Sequence, residues 1–308
     1  MKKILLYSLF VLVGCVVLST LFFVIRQGRA NAEIEREGQA LPASVPDLET
    51  TTRLEIIPLY EEDREDESLE FGHGVSYLIR TDSADILMDV GNNPGEAASL
   101  PAMQNLQELD VVWEEIDALV ISHPHPDHVG GFRAWQNKTI SFGDFTGDLT
   151  KVPIYAPIPM TYSSATIIHS PEPTLVGADI ATTGVIPFEE VFPLSLADPK
   201  EYEQALVIHV DGQGLVLITG CGHPTLEKLV SRAEELFGGQ VIGVAGGLHY
   251  EKVSSEDLQL HIQFLGSRQP KLIALSPHDS SPEALQAFQS AFPDAYRAVR
   301  VGKVLQFP

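Results

Sequence analysis

Ile121-Ser122-His123-Pro124-His125-Pro126-Asp127-His128-Val129-Gly130-Gly131 places four ligand-type side chains within six residues, directly after the apolar run Ala118-Leu119-Val120-Ile121. That run reads as a short buried strand that ends where polar side chains appear. Pro124 and Pro126 each push the residue before them, His123 and His125, into an extended conformation. Extended residues two apart share a face, so both imidazoles can converge on one cation. Asp127 and His128 follow where the chain can turn into a helix from Phe132, and a carboxylate at a helix start is favoured by the dipole. They offer ligands for a second cation. Gly130 and Gly131 would let the backbone pass close to the ions without a Cβ in the way. The competing reading, a polar loop with surface histidines, explains neither the spacing nor the buried strand before it.

The same pattern recurs outward from this stretch. Leu215-Val216-Leu217-Ile218-Thr219 runs into Gly220-Cys221-Gly222-His223, Val241-Ile242-Gly243-Val244 into Gly246-Gly247-Leu248-His249, and Leu272-Ile273-Ala274-Leu275 into Ser276-Pro277-His278-Asp279. Four strand ends that deliver ligand-type residues imply one edge of a sheet sandwich lined by them. Upstream, Gly72-His73-Gly74 precedes a hairpin, Val75 to Ile79 and Ala84 to Val90, that ends in Asp89-Val90-Gly91. Asp89 has two open roles, an ordinary turn cap or a hydrogen-bond partner that fixes the tautomer of a ligand histidine. His209, in an apolar strand, and His261, in a helical pattern, read as structural, and His169 as a loop residue. Residues 97–109 and 224–237 read as helices. The acidic run Glu61 to Glu70 reads as a solvated loop, and 132–200, rich in proline, as hairpins and loops that shape substrate choice.

With 308 residues, 44% hydrophobic and 20% charged, the chain can bury a sizeable core in a layered α/β domain. The net charge of −22 argues against nucleic acid as a partner, because phosphate backbones require basic patches. A small-molecule substrate, even an anionic one, remains compatible, since cations at the site reverse the local sign. Only two cysteines occur, Cys15 and Cys221, far apart in the chain, so no intramolecular disulfide is expected.

The first 28 residues stand apart. After Met1-Lys2-Lys3, an uncharged run from Ile4 to Ile25 is long enough to span a bilayer as a helix. Leu12-Val13-Gly14-Cys15 also resembles a lipoprotein box, but the apolar run continues past Cys15 through Phe23, which favours an uncleaved signal anchor. Lys2, Lys3 and the α-amine before the span place the domain outside, in a single-pass, extracytoplasmic arrangement. The expected organisation is a transmembrane anchor at 1–28, a tether at 29–52 that includes Pro42 and Pro46, and a domain at 53–308.

His123-x-His125-x-Asp127-His128, with Asp89-Val90-Gly91 upstream and His278 downstream, resembles the metallo-β-lactamase superfamily over residues 54–308. Gly72-His73-Gly74-Val75-Ser76, Glu203-Gln204-Ala205-Leu206, Gly220-Cys221-Gly222-His223 and Gly246-Gly247-Leu248-His249 resemble the branch of the dihydropterin-ribofuranosyl-aminobenzene phosphate synthases. Pro277-His278-Asp279 departs from that branch's usual His-Cys-Thr-Gly ending. The resemblance implies a four-layered αβ/βα sandwich and two divalent cations, zinc first, with iron and manganese as the other candidates. His123, His125 and His223 would hold one, and Asp127, His128 and His278 the other. Cys221 stands where many relatives carry a bridging aspartate, and is either a thiolate ligand or a packed neighbour. His249 contacts substrate or metal, and His73 and Asp89 act on the substrate or behind the ligands.

The expected function is a membrane-anchored metal-dependent hydrolase of phosphoester or lactone-type small molecules, with Asp127 as the catalytic residue that orients the nucleophile or shuttles its proton. A synthase or transferase of the branch's own type and a non-catalytic metal-binding module are the alternatives.

Overall fold

The structure is a computed structural model that describes residues 2–40, 45–190 and 193–307. Met1 and Pro42 lie outside the described residues. The chain divides into a smaller unit, 1–41 with 187–201, and a larger one, 42–186 with 202–308.

The larger unit contains two β-sheets. The first takes in β1 (Glu55–Tyr60), β2 (Ser76–Arg80), β3 (Asp85–Met88), β4 (Ala118–Val120), β5 (Ile154–Ala156) and β6 (Ile167–His169). Between β3 and β4 lies α2 (Pro101–Glu108), and between β4 and β5 lies α3 (Phe132–Gln136). The second sheet is built from β7 (Ile180–Thr182), β10 (Leu206–Val210), β11 (Gly214–Thr219), β12 (Val241–Gly246) and β13 (Leu272–Leu275), with the hairpin of β8 (Ile186–Glu189) and β9 (Lys200–Glu203) inserted after β7. Helices α4 (Leu226–Phe237), α5 (Ser255–Gly266) and α6 (Pro282–Ala291) alternate with its later strands, and β14 (Leu305–Gln306) returns to pair with β1. The strand order is β14-β1-β2-β3-β4-β5-β6 in one sheet and β13-β12-β11-β10-β7 in the other.

Side-chain alternation sorts the apolar residues into three buried clusters. Ile79, Ile86, Met88 and Val120 of the first sheet face Ile208, Val216, Ile218 and Ala274 of the second. Leu78, Leu87, Leu119 and Ile154 turn the other way, onto Met103 and Leu106 of α2 and Ala134 of α3. Val207, Leu217, Val244 and Ile273 cover the far side, against Leu229 and Val230 of α4, Leu258 of α5 and Phe288 of α6. Three cores separate four layers, so the expected αβ/βα sandwich is the observed one. Strands buried on both faces need apolar residues at every position, which is why they read as continuous runs in the sequence.

One expected boundary moves. The helix expected over 97–109 begins at Pro101, whose missing N–H is no loss in a first turn. Packing alone requires a glycine at 130: φ is +86°, and a Cβ there would meet the Ser141 carbonyl oxygen at 2.3 Å. Asp127 is not at a helix start, because α3 begins only at Phe132 and the residues between form turns.

The smaller unit is organised by α1, Lys2–Gly38, a single helix long and apolar enough to cross a membrane. It continues through the first part of the stretch expected to be a tether. Ala30 and Ile34 bury one stripe of it, while Gln27 donates to Glu189 at 2.6 Å and Lys200 pairs with Glu33 at 3.2 Å and Glu37 at 3.0 Å. These partners lie three to four residues apart, the spacing of one helix face.

Candidate metal centre

All the candidate site residues lie in the larger unit, and the topology explains why they meet. The C-terminal ends of β1, β3 and β4 and the start of the antiparallel β2 share one edge of the first sheet. The ends of β11, β12 and β13 and the start of β10 share the matching edge of the second. Gln204, just before β10, stitches the two edges together: its backbone N–H donates to Ser122 O at 2.9 Å and its side chain to Ile121 O at 2.8 Å.

His123, His125 and His223 form a near-equilateral cluster, with ring centroids 4.5, 4.9 and 4.8 Å apart. Beside it, Asp127 Oδ2 lies 3.1 Å from His278 Nε2 and 4.0 Å from His128 Nε2. The rings of His123 and His128 are 4.1 Å apart, so the two sets adjoin. Cys221 Sγ sits between them, 3.1 Å from His128 Nε2 and 3.5 Å from His278 Nε2, and is also grouped with His123.

The electrostatics follow from burial. Desolvation, reinforced by the neighbouring imidazoles, pushes His123 and His223 well below the usual histidine range, which leaves neutral rings with lone pairs to offer. Burial opposes a charge on His128 as well, but Asp89 and Asp127 overcome it and raise the group to about 9. Asp127, despite its own burial, is held far below the ordinary carboxylate range by His128 and His278. Burial drives the Cys221 thiol well up, with Asp279 and Asp127 adding to the effect. A histidine whose charge is favoured by two carboxylates, beside His123 and His223, whose charging burial opposes, is an arrangement that divalent cations would relieve. The donor set of imidazole nitrogens, one carboxylate and one sulfur fits such ions.

Behind the clusters lies a shell of buried groups. Asp89 Oδ2 is 2.7 Å from His128 Nδ1, and with the carboxylate as acceptor the ring turns Nε2 toward Cys221. Asp89 also accepts from Ser122 N at 2.7 Å and Ser122 Oγ at 2.6 Å, and that hydroxyl lies 2.9 Å from His123 Nδ1. Of the two roles open for Asp89, its contacts match the hydrogen-bonding one.

At the rim, His73 is half-exposed, with Nε2 3.4 Å from Asp127 and Nδ1 3.0 Å from Glu62, and its ring lies 4.1 Å from that of His278. The ring of His249 is 4.7 Å from that of His223, in the left-handed backbone region at φ 55°, and Asp279 accepts its N–H at 2.9 Å. His169 is exposed on β6, His209 is half-buried in β10, and His261 bonds Tyr250 and Glu227, so none of these joins the cluster.

Sequence reasoning missed three carboxylates. Glu203 is buried and accepts the backbone N–H groups of Cys221, Gly222 and His223 at 3.1, 2.8 and 2.8 Å. Asp279 is buried beside the β12 end. Glu61 was expected in a solvated loop, but it is fully buried and accepts from Tyr77 and Ser276. The only available signal was position: each of the three adjoins an apolar strand.

A family model of the metallo-β-lactamase superfamily matches residues 69–141, the segment that holds His73, Asp89 and the four clustered ligand-type residues. Over that segment the chain is similar to the metallo-β-lactamase superfamily. The chain is also similar to a Methanocaldococcus jannaschii protein named 7,8-dihydropterin-6-methyl-4-(β-D-ribofuranosyl)-aminobenzene-5′-phosphate synthase. The two are 25% identical over 276 residues, which cover 76% of this chain and 90% of that one. The metallo-β-lactamase fold is also seen in a crystal structure described as a metal-dependent hydrolase of the β-lactamase superfamily, with TM-score 0.59 and 19% identity, covering 82% of this chain and 98% of that one. The Bacillus subtilis protein YhfI, a metallo-β-lactamase fold protein, superposes with TM-score 0.52 at 15% identity, covering 83% and 99%.

Proposed function

We propose that the chain is a metal-dependent hydrolase of small molecules, with a dinuclear centre at the shared edge of its two sheets. The observation that carries this reading is the pair of adjoining ligand sets with Cys221 Sγ between them. His123, His125 and His223 would hold one cation, and Asp127, His128 and His278 the other, with Cys221 as a ligand common to both sets. Zinc suits the donors best, with iron and manganese as the other candidates. Divalent cations there would supply Lewis acidity, polarising a carbonyl or phosphoryl oxygen and acidifying water.

The chain's own residues do the rest. Asp127 Oδ2, 3.1 Å from His278 Nε2 and 3.4 Å from His73 Nε2, would orient the nucleophile or shuttle its proton. Asp89 holds the ring of His128, and Glu203 holds the Cys221–His223 turn. His73 and His249, at opposite sides of the cluster, contact the substrate. The buried walls suit a compact substrate with one polar reacting group, a phosphoester or a lactone.

The name of the methanogen relative supports a second reading, a synthase or transferase. Metal content of the purified full chain, measured beside a His123→Ala/His125→Ala double variant, tests the centre. About two equivalents in the parent, lost in the double variant, are expected. Phosphodiester, phosphonate and lactone substrates then test the chemistry: turnover of one of them supports the hydrolase, whereas product formation only with an added acceptor favours transfer. A folded protein that takes up no cation overturns the proposal.

The proposal extends to α1. Its uncharged run from Ile4 to Ile25 acts as a membrane anchor, with Lys2 and Lys3 on the cytoplasmic side and the domain outside.

A further inference from the structure

Taking α1 as that anchor, we infer that the turn Pro193-Leu194-Ser195-Leu196-Ala197, between β8 and β9, is a second membrane contact that rests in the lipid headgroup region and inserts Leu196.

Ile4 to Ile25 is 22 residues (25 − 4 + 1) without a charge, and at 1.5 Å per residue that is about 33 Å, against a hydrocarbon core of about 30 Å. Arg26 is therefore the first charge beyond the apolar layer, where its guanidinium belongs at the interface. That guanidinium is engaged: Nη1 donates to Leu196 O at 3.0 Å and Nη2 to Ala197 O at 2.6 Å. The turn is thereby fixed at the level at which α1 leaves the lipid.

The attachment continues away from the bilayer. Gln27 bonds Glu189, Ala30 and Ile34 bury the stripe between, and Lys200 pairs with Glu33 and Glu37. Several contacts in register along about three helical turns leave the hairpin little freedom to drift from the helix. The polar half of the hairpin faces the polar half of α1, and its apolar turn lies at the apolar boundary.

The turn has the composition for that place. Residues 193–197 carry no charge, the segment 194–196 forms one tight 3₁₀ turn, and Leu196 is 55% exposed. A lone exposed leucine is ordinary on a water-facing surface; its position beside Arg26 is what gives this one a partner. The flanking charges at Glu189, Glu190, Asp198 and Glu201 are acidic, with only Lys200 opposing them. The contact is accordingly apolar, and it needs no anionic lipid.

Spin-label depth measurements on the full chain in phosphatidylcholine vesicles test this. Nitroxides are placed singly by Leu196→Cys, by Leu18→Cys in the middle of the span, and by Leu260→Cys on α5 as the aqueous reference, all in a Cys15→Ser/Cys221→Ser background. The expected result is collision with oxygen several-fold above collision with a water-soluble nickel chelate at 18, the reverse at 260, and an oxygen-favoured value at 196 that lies between them. Arg26→Ala should return the label at 196 toward the value at 260. An immersed label at 18 with an aqueous one at 196 overturns the inference and leaves the anchor standing. An aqueous label at 18 removes the anchor and the inference together.

Discussion

Asp89 and His128, both fully buried, are joined at 2.7 Å between Oδ2 and Nδ1, and the opposite nitrogen of the same ring lies 3.1 Å from Cys221 Sγ. A carboxylate on the far side of a ring fixes the tautomer and raises the basicity of the nitrogen that faces the site. Asp89→Ala should therefore weaken cation binding by about 10–100-fold, read by competition with a chromophoric chelator. Affinity equal to the parent's would reduce Asp89 to a turn residue.

Asp127→Asn keeps the shape of the side chain and removes its ability to take a proton. Turnover should fall by about 10²–10⁴-fold, the range for loss of a positioned acid or base, while circular dichroism and the thermal midpoint of the chelator-treated protein stay close to the parent's. Because Asp127 is also a candidate ligand, metal content is measured on the same samples. Undiminished turnover would sink the proton-transfer role.

Glu203 carries three backbone donors of the Cys221–His223 turn on two oxygens. Glu203→Ala leaves those N–H groups buried without their acceptor, at a cost of about 1–3 kcal/mol for each one that finds no other partner. The denaturation midpoint of the metal-free protein should drop accordingly. Glu203→Gln, which keeps one acceptor oxygen, should recover part of the loss. If the alanine variant matches the parent in both stability and cobalt spectrum, the turn holds itself.

Glu61 gives a pH dependence with a definite sign. Burial is the main influence, and despite hydrogen bonds from Ser276 and Tyr77 its pKa is pushed up to about 7 from an ordinary value of 4.5. The folded state thus binds the Glu61 proton more tightly than the unfolded chain does. That stabilisation is complete below 4.5 and is lost as pH rises through about 7. Glu61→Gln fixes the neutral form, so its stability relative to the parent should improve between pH 5 and 8 in urea titrations of metal-free protein. Parallel pH profiles for the two would rule out the assignment.

The fold was legible because each central strand is buried on both faces. Leu215 to Thr219 and Leu272 to Leu275 therefore announce themselves as apolar runs, and the residues that follow them fall on one edge. His123, His125, Asp127, His128, His223 and His278 could be read from that rule alone. Asp279, one residue past His278, falls under the same rule, but Glu61 does not: it heads an acidic run, and its hydrogen-bond partner Ser276 is 215 residues away. Local composition carries no trace of such a partner. The extension of α1 to Gly38 was hidden for a similar reason. Its charges at Glu33 and Glu37 suggested a solvated tether, and Lys200, which pairs with both, lies far along the chain.

The two ligand sets also impose an order on assembly. When a ribosome has passed His128, each proposed set has two of its three members: His123 and His125 lack His223, and Asp127 and His128 lack His278. Each missing member belongs to the opposite sheet. A nascent chain can therefore hold cations only loosely until nearly all of it has been synthesised and the second sheet has closed on the first. With the proposed centre, metal capture would come at the end of folding, and the cations would act as a latch between two finished halves rather than as a seed for either.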